Sequence, residues 1–347
     1  MYNIKKYIMG DIEMKILLIG AGAIGGTLAT LIHHAGYDIS ILEINPAARD
    51  EINEKGLHLT GAKGEYTEKI KAYGNPDELD EKFDIVIIAT KYLVLKPVAQ
   101  SALKFLREDS LVVGMQNGIC MDELASVVGK KRTVGCMIGF GATKHSTTDI
   151  EMTSLGEMYI GMPDGYHPAI LDELCKIYNN VLPTLVSDEI IRRQYSKLII
   201  NSCINATAAI TGKTLGVMLD DKRAQDLFLR IAREGMYVAK AMNIKVPKYG
   251  KLLYYNLLML MDNKPYNAIC KGVVLLVGKT KYKDVKPSTL QSLERGEKTE
   301  IDIFNGYIAR MGEKYNVPTP VNTQITEMIR QIERGERKIT MDNLAEF

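Results

Sequence analysis

The chain has no tryptophan, and only five cysteines and five histidines are spread over its 347 residues. Cys120, Cys136, Cys175, Cys203 and Cys270 are odd in number and far apart, with no C-x-x-C pair and no Cys/His cluster. That argues against a disulfide framework and against a zinc or other metal site. Excess charge is missing as well: 44 Lys and Arg against 42 Asp and Glu leave a formal charge of +2, so the electrostatic footprint of a nucleic-acid binder is absent. No apolar run is long enough to span a bilayer; the longest, Leu252 to Met261, is interrupted by Tyr and Asn. Met1 to Glu13 lacks the apolar core of a signal peptide. The expected compartment is therefore the reducing cytoplasm. Residues 1–13 are expected to be an extension, because Met14 stands directly before the first strand-like run. The 46% hydrophobic and 25% charged content is that of a globular chain, with length enough for two domains.

The most informative stretch is Lys15-Ile-Leu-Leu-Ile-Gly20-Ala-Gly22-Ala-Ile-Gly25-Gly26. An unalternating apolar run suits a parallel strand covered on both faces, and Ile24, Leu28, Leu31 and Ile32 follow at helical spacing. Gly20 permits a tight turn, Gly22 lets backbone approach a pyrophosphate, and Gly25 lets helix pack on strand. The first N–H groups of the helix, reached through Ala21, Ala23 and Ile24, are unpaired and lie at its positive end. A second strand, Asp38 to Leu42, ends at Glu43, where an acid can accept hydrogen bonds from both ribose hydroxyls of NAD. A 2′-phosphate would meet that carboxylate, so NAD(H) is the favoured cofactor; Arg49, six residues on, leaves NADP(H) open.

Farther along, Pro46 to Glu54 reads as a helix and Leu57 to Ile70 as a strand pair around Gly61 and Gly64. Phe83 to Thr90 is a buried strand that delivers Lys91 at its carboxyl end, either toward a ligand or as a solvated loop lysine. Tyr92 to Leu106 is expected to be helical and Leu111 to Gly114 a strand. Gln116-Asn117-Gly118 follows, as a plain turn or as a ligand-facing loop. Thr133 to Phe140 continues the sheet, Asp149 to Thr153 with Glu157 to Ile160 reads as an antiparallel pair covering it, and Leu171 to Asn180 as a helix. After Leu185-Val-Ser187 the composition turns helical, which places a dinucleotide-binding domain at 14–188 and a helical domain at 189–347.

The helical part opens with Ser196-Lys197-Leu-Ile-Ile-Asn201-Ser-Cys-Ile-Asn205. Lys197, Asn201 and Asn205 stand four apart and form one polar stripe on an apolar helix. Burying an ammonium and two amides alone would cost several kcal/mol, so a polar partner is expected, either a ligand or neighbouring carbonyls and carboxylates. Near the C-terminus Glu300 adjoins Ile301, Phe304 and Ile308, which are apolar at helical spacing.

The glycine fingerprint, Lys91, Gln116-Asn117-Gly118, the Lys197/Asn201/Asn205 helix, Ser288 and Thr299-Glu300-Ile301-Asp302 with Asn305-Gly306 together resemble the ketopantoate reductase (2-dehydropantoate 2-reductase) family from Met14 to about Ile329. The resemblance implies an α/β Rossmann-type domain followed by an all-helical domain like that of 6-phosphogluconate dehydrogenase, with the active site between them. It implies reduction of ketopantoate to pantoate, a step toward pantothenate and coenzyme A. By carry-over Lys197 is the proton donor, and Asn117 touches cofactor and substrate. Asn201, Asn205 and Ser288 hold the substrate, Glu300 sits near the nicotinamide ribose and substrate, and Gly141 joins the cofactor-binding residues. The partner is then a small 2-oxo acid, with neither nucleic acid nor membrane, and a homodimer is left open. Departures from the family pattern fall in the substrate half: Leu215-Gly216 replaces Asn-Gly, Asn205-Ala206 replaces Asn-Pro, and Ser292 replaces Asp. Asn263 to Lys286 reads as an insertion; the lysines between Lys264 and Lys286 read as a solvated face or as a means of concentrating an anionic ligand. Competing readings are a reductase or dehydrogenase of another branched 2-oxo acid or of an imine on the same scaffold, and a non-catalytic nucleotide sensor. A lactate-type histidine acid is disfavoured, since His33, His34, His58, His145 and His167 include no active-site candidate.

Overall fold

The computed structural model describes residues 14–248, 255–260, 267–272 and 286–347; the expected extension 1–13 and most of the expected insertion 263–286 lie outside the described residues. The chain divides into an N-terminal unit, to Gln116 and again over Met121–Asp188, and a C-terminal unit made of Glu189–Phe347 together with Asn117–Cys120.

In the N-terminal unit the strands are β1 (Lys15–Ile19), β2 (Asp38–Leu42), β3 (Leu57–Gly61), β4 (Tyr66–Glu68), β5 (Ala72–Tyr73), β6 (Phe83–Ile88), β7 (Leu106–Gly114), β8 (Thr133–Met137), β9 (Gly141–Lys144), β10 (Asp149–Ser154), β11 (Met158–Gly161) and β12 (Thr184–Val186). Its α-helices are α1 (Ala23–His34), α2 (Pro46–Lys55), α3 (Leu95–Ala102), α4 (Met121–Val128) and α5 (Ala169–Asn179). One sheet runs β12-β11-β8-β7-β6-β1-β2-β5 and is parallel from β5 to β8. The order reverses at β1, which pairs with β2 on one side and β6 on the other. Ligands of doubly wound sheets bind at the carboxyl ends of the strands beside such a reversal.

A second sheet, β4-β3-β10-β9, covers the far side of α1. Helix α1 is thus packed between two sheets, which is why Gly25 through Ile32 are all buried and its sequence shows no polar face. A Cβ at Gly26 would lie 2.2 Å from Ile150 Cδ1, so glycine there sets the approach of α1 to β10.

Three expectations need correction. Strands β10 and β11 do not pair with each other: β10 joins β3 and β9 in the second sheet, and β11 joins β8 and β12 in the first. Each had apolar alternation enough for a strand, but the partner is set by α1, which needs covering on its outer side. The helix expected over Tyr92 to Leu106 ends as a 3₁₀ turn at Phe105, and β7 begins at Leu106 rather than Leu111. The Arg107-Glu-Asp109 charges hid that strand; Ser110 Oγ receives the Arg107 N–H (2.7 Å) and donates to the Phe83 carbonyl (2.6 Å), where the register with β6 shifts. The third correction lies in the C-terminal unit. Ile301, Phe304 and Ile308 are all buried but do not share one helix: Ile301–Ile303 is a 3₁₀ turn, Phe304 breaks the path at ψ −102°, and a new helix starts at Asn305.

The described C-terminal unit is helical. Helix α6 (Ile190–Thr211) ends at Gly212 in the left-handed region (φ 70°) and packs on the helices Lys222–Ala241, Ser288–Glu294 and Pro320–Glu333. A buried polar cluster joins Lys222–Ala241 and Pro320–Glu333 to the helix that starts at Asn305. The Glu234 carboxylate accepts the Val321 and Asn322 N–H groups (2.9 Å each) at the start of Pro320–Glu333, and Asn322 Oδ1 accepts from Asn305 Nδ2 (3.0 Å). An ionised acceptor at uncapped N–H groups is favourable by charge as well as geometry.

Candidate active site

The glycine-rich turn is built by what its glycines lack. Gly20 has φ +97°, a conformation that side-chain-bearing residues rarely adopt, and its N–H donates to the Leu42 carbonyl (3.0 Å), joining the ends of β1 and β2. A Cβ on Gly25 would lie 2.1 Å from the Gly20 carbonyl oxygen, so only glycine lets α1 leave the turn at this angle. Gly22 is different: nothing lies within 4 Å of where its Cβ would be. That open space faces the start of α1, which has no side-chain cap and no acid in its first turn. Ala23 and Ile24 follow, half-buried. Unpaired N–H groups beside open space are what a diphosphate requires.

Glu43 stands at the end of β2 and faces the turn. Its Oε2 accepts the Ala21 N–H (3.1 Å) and its Oε1 the Asn45 N–H (3.1 Å). A carboxylate has about four lone-pair sites, so two remain for further donors. Asn45 in turn caps α2 through the Ala48 N–H (3.2 Å), with Pro46 at its first position. Arg49 is occupied elsewhere: its guanidinium pairs with Asp50 (2.7 Å) and fills the space where Gly74 lacks a side chain.

A further group reaches the turn that sequence reasoning did not single out. Lys144, the last residue of β9, donates from Nζ to the Ala21 carbonyl (2.7 Å). Burial lowers its pKa, while the charges of Glu43 and Glu51 act in the opposite sense. Lys144 is 123 residues from Ala21 in sequence and belongs to the second sheet, so no local pattern could have found it. Gly141 opens the same strand. Its missing Cβ is required by Thr153 Oγ1 (2.7 Å) and Ser154 Oγ (2.9 Å) of β10, a packing reason for glycine at this position.

Lys91 is exposed just past β6. Gln116 is buried and straps strand ends together, its Nε2 donating to the carbonyls of Ile88 and Thr90 (3.0 Å each). Its Oε1, like the neighbouring Thr90 Oγ1, is buried without a hydrogen-bond partner among the described residues. Asn117 belongs with the C-terminal unit. Next to it Gly118 (φ +81°) lies so close to the Ile303 carbonyl that a Cβ would come within 2.8 Å, which holds Asn117 beside the turn that follows Glu300.

On α6 the polar stripe is half-open rather than buried: Lys197 and Asn201 are partly exposed, and only Asn205 is buried. The stripe also divides by role. Asn205 Oδ1 accepts from Ser288 Oγ (3.2 Å), the Thr289 N–H (3.3 Å) and Thr289 Oγ1 (3.3 Å), and Nδ2 donates to the Asn201 carbonyl (3.1 Å). It thus caps the Ser288–Glu294 helix from outside, a job that helix's own leading residue, Pro287, does not do. The side-chain amides of Asn201 and Asn117, by contrast, make no hydrogen bond among the described residues. Glu300 is half-buried, and the residue before it is held by Glu333, whose Oε1 receives the Thr299 N–H (2.8 Å) and hydroxyl (2.5 Å).

The five histidines are taken up on the surface: His33 and His34 by Glu68, His58 by Thr67, His145 by Glu151 and His167 by Asp172. Among the described residues no group of three or more His, Cys, Asp or Glu could hold a metal ion, and no helix is long and apolar enough to cross a membrane.

Residues 16–165 match the model for ketopantoate reductase PanE/ApbA, and 189–333 that for its C-terminal part. A 2-dehydropantoate 2-reductase of Pyrococcus abyssi is 28% identical over 94% of this chain and 100% of its own. Among solved structures, a PanE/ApbA family ketopantoate reductase from Ralstonia eutropha superposes with a TM-score of 0.79 at 23% identity, covering 94% of this chain and 100% of that one. D-mandelate dehydrogenase with NADH and anilino(oxo)acetate has the same fold, with a TM-score of 0.79 at 21% identity over 93% of this chain and 99% of its own. With matches that run in order through both units, the chain belongs to the ketopantoate reductase family.

Proposed function

We propose that the protein reduces a 2-oxo acid to the 2-hydroxy acid with a nicotinamide cofactor, with 2-dehydropantoate as the first candidate substrate. The observation that carries this is the cradle at β1–α1, where open space at Gly22 meets uncapped helix N–H groups, with the Glu43 carboxylate bound to the turn. The turn and the first N–H groups of α1 would hold the pyrophosphate, and the two remaining lone-pair sites of Glu43 the adenosine ribose. A bound nicotinamide supplies a hydride from C4. The remaining steps belong to side chains. Lys197, an ammonium at neutral pH, gives its proton to the alkoxide forming at C2. Asn117 and Asn201 have free amides with which to hold the substrate carboxylate and hydroxyls, and Glu300 supplies the acceptor beside them. Asn205 and Ser288 shape the site mainly through each other. Asp at position 292 and Pro at 206 are the family's usual residues, whereas Ser292 and Ala206 stand here; together with the capping role of Asn205 they favour a second reading, another branched 2-oxo acid as substrate.

NADH is the expected cofactor, because the Glu43 carboxylate taken alone costs a 2′-phosphate roughly tenfold in affinity after screening. The test is consumption of NADH and NADPH with a panel of 2-oxo acids, 2-dehydropantoate first. Saturable turnover with one of them, faster with NADH, is the result expected. Tight binding of the dinucleotide with no turnover of any 2-oxo acid would favour the nucleotide sensor instead.

A further inference from the structure

The adenosine end of the cradle carries two opposite charges, only one of which a Rossmann pattern calls for. Both engage the same residue: Glu43 takes the N–H of Ala21 (3.1 Å) and Lys144 its carbonyl (2.7 Å). Lys144 also lies in the field of Glu51, on α2. Its ammonium therefore stands at the turn within the field of the Glu43 carboxylate. No basic residue follows Glu43 in the loop Ile44-Asn45-Pro46, and Arg49 is paired with Asp50. Among the described residues Lys144 is a cation set against this carboxylate.

We propose that Lys144 is a cofactor-specificity residue: set with Glu43 on the main chain of Ala21, it offsets the carboxylate and admits a 2′-phosphate that Glu43 alone would repel. The inference rests on dinucleotide binding at this turn. A lysine here can release the Ala21 carbonyl to water and turn its ammonium to a phosphate, and its half-open position leaves room for the swing. Without Lys144 the site is a bare carboxylate, and discrimination against NADPH rises. Without the Glu43 charge the site is a bare ammonium, and NADPH is preferred.

The experiment measures dissociation constants of NADH, NADPH, 5′-ADP and 2′,5′-ADP by calorimetry for the full chain and for Lys144→Met, Lys144→Arg and Glu43→Gln. Lys144→Met should weaken NADPH about tenfold more than NADH, and 2′,5′-ADP about tenfold more than 5′-ADP. Lys144→Arg should keep the wild-type ratio, and Glu43→Gln should move it the other way. Equal weakening of all four ligands in Lys144→Met would make the lysine a strap for the turn and overturn the proposal, as would unchanged constants. If the wild-type protein binds none of the four, the dinucleotide reading fails and this inference falls with it.

Discussion

The two units of the chain build their candidate site residues in different ways. At the cofactor end main chain does the work: Gly20 bends, Gly25 admits α1, Gly22 leaves room, and Glu43 and Lys144 brace a single residue, Ala21, through its N–H and its carbonyl. At the substrate end side chains do it, and they divide between structure and chemistry. Asn205 is bound to Ser288 and Thr289, whereas the side-chain amide of Asn201, one turn earlier on the same helix, makes no hydrogen bond among the described residues. A site built from backbone is defined by where side chains are missing. A site built from side chains is defined by which of them have no structural duty.

The largest break in this comparison should come from Lys197→Ala. A proton donor used only in the transition state is removed, so kcat should fall about 100-fold or more with little change in cofactor affinity, as read by steady-state kinetics and NADH titration. An unchanged kcat would return Lys197 to a structural role.

The cofactor end is sharpened by two glycines that sequence pattern treats alike. Gly25→Ala puts a Cβ into the Gly20 carbonyl and should cost about 1–3 kcal/mol, seen as a clear drop in Tm. Gly22→Ala meets nothing in the protein and should leave Tm close to wild type while weakening NADH, because the methyl occupies the space kept for the pyrophosphate. Equal Tm losses would mean that the Gly22 space is not a ligand cradle. At the substrate end Asn205→Ala should lower stability by about 1–3 kcal/mol, since the Thr289 N–H is left buried without its acceptor. Asn201→Ala should leave Tm alone and raise KM for the 2-oxo acid. If the two asparagines behave alike, the division of labour on α6 is wrong.

The smallest effect lies away from the site. Burial would raise the Glu68 carboxyl, but hydrogen bonds and charge from His34 and His33 outweigh it and hold the carboxyl below its usual value. A depressed carboxylate stabilises the fold above its unfolded pKa, about 4.3, and the gain is lost as pH falls through the folded value. The Tm advantage of wild type over Glu68→Gln should accordingly be present at pH 6 and shrink below about pH 4. A constant difference would remove Glu68 from the acid response.

How much was legible in the sequence follows the same division. The turn could be read because glycines at fixed spacing have few physical uses between a buried strand and a helix, and Glu43 because it lies a fixed distance along the same β-α-β unit. The Lys197/Asn201/Asn205 stripe was legible as a stripe, but the capping duty of Asn205 was not, since its partners lie 83 and 84 residues away. Lys144 was invisible for the same reason. The pairing of β10 and β11 was misread because alternation gives a strand's faces, not its neighbours; the neighbour was chosen by the need to cover α1.

The central claim is that hydride passes from the cofactor bound at the Gly20–Gly25 turn to C2 of a 2-oxo acid. The direct test is turnover of 2-dehydropantoate, and of the other 2-oxo acids in the panel, with NADH deuterated at C4 and NMR analysis of the product. The account predicts one deuterium at C2 of the hydroxy acid, transferred from one face of the nicotinamide only, and a Lys197→Ala protein that makes the same labelled product far more slowly. A hydroxy acid with no deuterium at C2, or no product from any 2-oxo acid while the cofactor stays bound, would contradict it.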